Sequence, residues 1–194
     1  MKRQIRATRL ILWLSLLMIP APGLTEQQAM PQVSEEARDF KIFADRVQEY
    51  VKMQKELKAS LPPLNPTSDA AQIIEHQHAL AGKIADARRK ARQGDIFTSD
   101  VRERFRKIID RTLRGPEGRL ARETIRPDGS FKPVRLHVND VCSEKIPSIT
   151  MPPTLLLKLP ALPQELIYRI VGYDLTLQDT EARLIVDLIP DAIR

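Results

Sequence analysis

Few residues in this chain combine a type and a spacing that do chemistry, and the nearest approach is Glu75-His76-Gln77-His78. A carboxylate and an imidazole three residues apart on a helix, as in Glu75 and His78, form half of a carboxylate-bridged di-iron site. The other half needs a second such pair and two more glutamates, and the sequence holds no second copy. At about 100° per residue, His76 and His78 fall to either side of the apolar stripe and Glu75 points nearly away from it, so the three do not converge on one ion. Cys142 is the one cysteine, and His137 precedes it across an expected strand and turn. A nucleophilic thiolate needs a base held at hydrogen-bond distance, which that arrangement does not provide by itself. Asp174, Asp179 and Asp187 offer carboxylates for acid–base work, but the first two stand where a turn uses Asp to bind its own backbone. The sequence has no Gly-x-Ser-x-Gly elbow and no glycine-rich phosphate loop. No catalytic residue, metal or cofactor is expected. An enzyme would need a hydrolase-like site dispersed along the chain.

Charge gives a second set of candidates. From Lys83 to Arg126 there are 14 basic and 7 acidic residues, and Arg88, Arg89, Arg92, Arg102 and Arg106 are candidates for a face toward an anionic partner. The competing reading is a solvated helix surface. Asp86 with Lys90, Asp100 with Arg104, Glu103 with Lys107 and Asp110 with Arg114 are acid-before-base pairs one turn apart, which support exposed helices. Aromatic residues in this segment are limited to Phe97 and Phe105, both read as core, so nucleic acid is not expected.

The elements that position these residues follow from periodicity. Lys2, Arg3, Arg6 and Arg9 precede an apolar run from Leu10 to Ile19, with Ala21-Pro22-Gly23 behind it. That order reads as a signal peptide over residues 1–23, its apolar run of about ten residues well short of the roughly 20 that span a bilayer. Four of the 31 basic residues and none of the 25 acidic ones lie in it, so the net charge falls from +6 to about +2 once it is removed. A periplasmic or secreted location without a membrane anchor is expected. After a flexible arm, 24–33, a helical region occupies 34–126. Ser34 caps a first helix whose apolar stripe runs from Phe40 to Leu61, and Pro62-Pro63 end it. A second helix starts near Thr67 or Ser68 and runs through Ala91 to Gly94, pairing with the first as a hairpin. Gln54 and Gln77 fall inside the two stripes and are expected to hydrogen-bond across the seam. A third helix, capped by Thr98 or Ser99, carries Val101, Phe105, Ile108, Ile109 and Leu113, and a further turn or two spans Glu117 to Ile125 before the loop RPDGSFKP.

Residues 133–194 change character. VRLHV alternates like a strand, and a Pro-rich crossing holds at most one short helix over Thr154 to Leu159. Strands are expected over Ile167 to Val171, Leu175 to Gln178 and Arg183 to Leu188, joined by gaps so short that pairing must be antiparallel. The fold class is therefore α+β: a helical hairpin plus a third helix, then a small antiparallel meander, packed as one domain. Strict alternation puts Ile167, Leu175, Leu177, Leu184, Val186 and Leu188 on one face. Ile170, Val171, Ile185 and Ile189 then make the second face apolar too, a candidate binding surface if the helices leave it open.

GDIFT at 94–98, MPPTLLLKLPALPQEL at 151–166 and YRIVGYDLTLQD with ARLIVDLIPDAI together resemble a family of short, uncharacterised exported proteins of environmental Gram-negative bacteria. The likeness covers most of the chain after the leader and implies location and a common fold, with no activity to carry over. LTEQQ at 24–28 also matches the five-residue LTxxQ signature of periplasmic helical-hairpin stress chaperones, but only once and beside the expected cleavage site. The expected function is an exported, non-catalytic binding protein acting through the hairpin, the basic helix or an open sheet edge. Its partner would be another exported protein or an anionic envelope component, and the first helix also allows a homodimer. The alternatives are the dispersed enzyme and a carrier or chaperone-like protein for an acidic or lipid-like ligand.

Overall fold

The computed structural model describes residues 34–116, 118–125, 134–142 and 146–193. The expected leader 1–23, arm 24–33 and loop 126–133 lie outside the described residues. Helix α1 (Glu35–Ala59) begins where expected, the Ser34 Oγ accepting the Ala37 N–H at 3.2 Å with Glu35 and Glu36 in the first turn. Helix α2 (Ala70–Ala87) is capped by Asp69 rather than Thr67 or Ser68, because the Asp69 carboxylate takes the Ala71 N–H at 2.9 Å. Helix α3 (Ser99–Arg114) follows Thr98, and α4 (Gly118–Ile125) repeats the pattern with Ala121 and Ile125 inward. Then come β1 (Ile149–Thr150), α5 (Pro153–Leu156), β2 (Leu166–Val171), β3 (Asp174–Asp179) and β4 (Ile185–Ile189). The strands form one antiparallel sheet in the order β1-β2-β3-β4. Gly172, at φ +60°, opens the two-residue turn between β2 and β3, a backbone state open to glycine without strain.

The helices lie on one face of the sheet, called inner here. Phe43 stacks on Phe97 at 5.5 Å, and Phe105 packs against both at 5.2 Å, with the Tyr168 ring 6.0 Å from Phe105. Each such pair adds about 0.5–1.5 kcal/mol to plain burial. Leu166, Tyr168 and Ile170 of β2 and Leu175 and Leu177 of β3 close this core from the sheet side. The stripe of α1 that might have met a second copy is spent here, on Phe43, Val47, Tyr50 and Val51.

Buried polar groups bolt the two layers together. The Tyr50 hydroxyl donates to Asp179 Oδ2 at 2.8 Å, while Asp179 Oδ1 accepts the N–H groups of Glu181 and Ala182. Asp187 accepts the N–H of Gly94 at 2.9 Å on one oxygen and those of Ile96 and Phe97, both at 2.8 Å, on the other. The loop before α3 is thus moulded around a carboxylate on the last strand. Gly94 at φ +96° makes the bend this requires.

That loop corrects the expected end of α2. The helix stops at Ala87, short of Gly94, and Arg88 leaves it to bind the Val186 carbonyl at 2.9 Å and the Asn139 side-chain oxygen at 3.1 Å. Two of the four expected helix-surface pairs form, Glu103 with Lys107 and Asp110 with Arg114. Arg104 turns instead to Asp39 on α1 at 3.2 Å. The amide pairing across the α1–α2 seam does not form: Gln54 donates to Glu181 at 3.3 Å, because its stripe faces the turn after β3. Gln77 lies half-buried at the rim of the cleft described below.

Candidate functional site

The outer face of the sheet is covered by irregular chain rather than helix. VRLHV is not a strand. Leu136, with Val138, Cys142 and Ile146 around it, lies over Val171, Ile185 and Leu188 as a second, smaller apolar cluster. Residues 139–142 instead run along the outer edge of β4. The Asn139 N–H meets the Ile185 carbonyl at 2.8 Å, the Asp140 carbonyl accepts the Ile185 N–H at 2.8 Å, and the Cys142 N–H meets the Arg183 carbonyl at 2.7 Å. The sheet edge expected to be open for a partner is therefore occupied by the chain's own backbone along β4. Asn139 takes φ +69° to make the turn and exchanges hydrogen bonds with Arg88, its amide donating to the Arg88 carbonyl at 3.1 Å.

The expected apolar surface is consequently buried. Ile170 and Ile189 belong to the inner core with the helices, and Val171 and Ile185 lie under Leu136, Val138, Cys142 and Ile146. The register explains the split. Ile170 pairs with Leu175 and Tyr168 with Leu177, so these residues share the inner face, while Ile167 lies opposite Gln178 on the outer one. In β4 a bulge sets Leu177 against Asp187 and Gln178 against Ile185, which breaks the alternation and sends Leu188 outward.

Between the covering segment and the sheet lies a cleft of about 730 Å³, within the size range of small-molecule sites. Ile167, Val171 and Ile185 line its sheet side, with Leu136 and Ile146 opposite. Arg135, Arg169 and Arg183 also line it, one from the covering segment, one from β2 and one from the turn before β4. Arg169 is pinned at the β1 edge by a hydrogen bond to the Thr150 hydroxyl. On the floor, Gln178 donates its amide to Thr176 at 2.9 Å, and the Thr176 hydroxyl donates to the Arg169 carbonyl at 3.0 Å. The site has a mixed lining, half-buried or exposed apolar side chains beside three guanidiniums and the carboxylates of Asp140 and Asp179, and the excess of arginine suits it to an anion that carries an apolar body.

The groups here that resemble a catalytic set are otherwise engaged. The Cys142 thiol is half-buried, and that burial pushes its pKa up to about 11, so at neutral pH it is a thiol and not a thiolate. The His137 ring faces Asp140 at 3.3 Å, in a turn where Asp140 also accepts the His137 N–H at 2.7 Å. Asp179 reaches the cleft wall, but its oxygens are taken by Tyr50 and the Glu181–Ala182 backbone. Burial holds its carboxyl above the usual range against those hydrogen bonds. Asp174 accepts the Asp191 N–H at 2.9 Å, so all three carboxylates considered for acid–base work hold backbone.

The five basic residues expected to form one face have different settings. Arg88 is turned inward, its guanidinium 5.1 Å over the Tyr50 ring, and burial pulls its pKa below the ordinary value. Arg89 and Arg92 are exposed on the turn after α2. Arg102 is half-buried on α3, and Arg106 binds the Pro190 carbonyl at 2.8 Å. Glu75 and His78 are exposed on α2, and among the described residues no group of three or more His, Cys, Asp and Glu is arranged to hold a metal ion. The cleft arginines were missed because each is a lone charge in sequence. Arg169 alone left a trace, as the polar residue between Tyr168 and Ile170.

Among the described residues no helix is long and apolar enough to cross a membrane. No protein-family model, no curated protein and no solved structure matches this chain.

Proposed function

We propose that this protein is an exported, non-catalytic carrier that holds a small amphipathic anion in the cleft on the outer face of its sheet. The observation that carries this reading is the cleft's composition. Val134, Val141, Ile146 and Ile167 give it an accessible apolar lining, and Arg135, Arg169 and Arg183 reach it from three separate parts of the chain, outnumbering the carboxylates of Asp140 and Asp179. An isolated guanidinium on a surface is ordinary; three around one apolar hollow supply both contacts an amphipathic acid needs. Export rests on the charged and apolar order of residues 1–23, and N-terminal sequencing of protein recovered after secretion is expected to start at Leu24.

Alkylation of Cys142 reports on occupancy because the residue lines the cleft. Decanoate should slow modification of Cys142 by iodoacetamide in a saturable way, and decyltrimethylammonium, a cation with the same chain, should not. Equal protection by both would leave only a greasy surface. Absence of protection by any anionic amphiphile tested, with no heat of binding by calorimetry, would remove the carrier reading.

A further inference from the structure

The arginines of β2 and β4 do not converge on one point. In the sheet register Ile167, Gln178 and Ile185 form a row across β2, β3 and β4. Strands β2 and β4 both run antiparallel to β3 and so share a direction. Arg169 follows Ile167 by two residues, whereas Arg183 precedes Ile185 by two, so the two arginines stand at diagonally opposite corners of the row. Two strand spacings and about four residues of rise put their Cα atoms about 16 Å apart. One corner is fixed by the hydrogen bond from Arg169 to Thr150, the other by the Cys142 N–H on the Arg183 carbonyl.

Between those corners the floor is not uniformly apolar. Ile167 and Ile185 flank Gln178, whose amide nitrogen is occupied by Thr176. A molecule with one acidic group can meet only one corner. Resting on the carrier reading above, we infer that the ligand is an elongated dianion with an acidic group at each end and an apolar middle, bridging Arg169 and Arg183 across the row. A charge-assisted hydrogen bond to an arginine is among the stronger polar contacts, so engaging the second corner is expected to tighten binding by at least about tenfold.

Calorimetric titration of the protein with decanedioate, decanoate and decane-1,10-diol tests this. Decanedioate should bind at least about tenfold tighter than decanoate, and the diol weaker than either. Arg169→Gln and Arg183→Asn should each bring decanedioate down to the level of decanoate. Asparagine is chosen at 183 because that residue sits at φ +52°, a conformation asparagine adopts readily. Equal affinity for the diacid and the monoacid in the unaltered protein would overturn the two-ended ligand while leaving the cleft intact as a carrier site. If neither acid binds, the carrier reading and this one fall together.

Discussion

The two faces of one sheet have been built to different standards. Inward, strands β2 to β4 meet four aromatic rings and the stripes of three helices, and the buried carboxylates there are matched by N–H and O–H donors. Outward, the same strands meet a short irregular segment, forming with it a small cluster around Leu136, Val171, Ile185 and Leu188, and a cleft rimmed with arginine. The inner face has the density that makes a fold unique. The outer face has less, and a looser cover over charged groups is where a ligand finds room.

This contrast predicts a graded response to substitution. Phe105→Ala, which empties the centre of the ring cluster, should cost about 3–5 kcal/mol in urea unfolding. Asp187→Ala strands the N–H groups of Gly94, Ile96 and Phe97 and should cost about 3 kcal/mol, since a buried donor left unpaired forfeits about 1–3 kcal/mol. Ile185→Val, one methylene from the outer cluster, should cost only about 1 kcal/mol. A larger loss there than at Phe105 would break the distinction between the faces.

The smallest effect is expected at Cys142. Burial favours its neutral thiol, so whatever stability that contributes is intact below the ordinary thiol value and is lost as pH rises toward about 11. The rate of alkylation by iodoacetamide in the folded protein should rise with a midpoint near 11; a midpoint near that of a free thiol would mean the outer cover opens freely.

How much of this was legible depended on range. Ser34, the Pro62-Pro63 break and the alternation of residues 166–189 act locally, and the helices and strands they announce are present. The assignment of sheet faces fails in two places: on β2, where the neighbours Ile170 and Val171 must face opposite sides and the hairpin register puts Ile167 outward, and at the bulge against β4, because a period of two carries no notice of an inserted residue. β1, only two residues long, is defined by its pairing with Arg169 and Ile170 and has no pattern of its own. Arg88 stands in the sequence among charges that suit a helix surface, yet its partners are 51 and 98 residues away. The cleft shares this difficulty, since its arginines are gathered by strand register and by a covering segment without periodicity.

The carboxylate of Asp187 has a consequence for the order of events in the cell. It seats a loop 93 residues upstream, and Asp179 anchors a tyrosine 129 residues upstream. During synthesis the helices therefore emerge long before the groups that lock them, and a nascent chain that stops before Arg183 has neither β4 nor the seat for the aromatic cluster. Such dependence on distant contacts slows folding. A chain truncated before Asp187 is expected to keep helical content while losing the fixed packing of its aromatic rings.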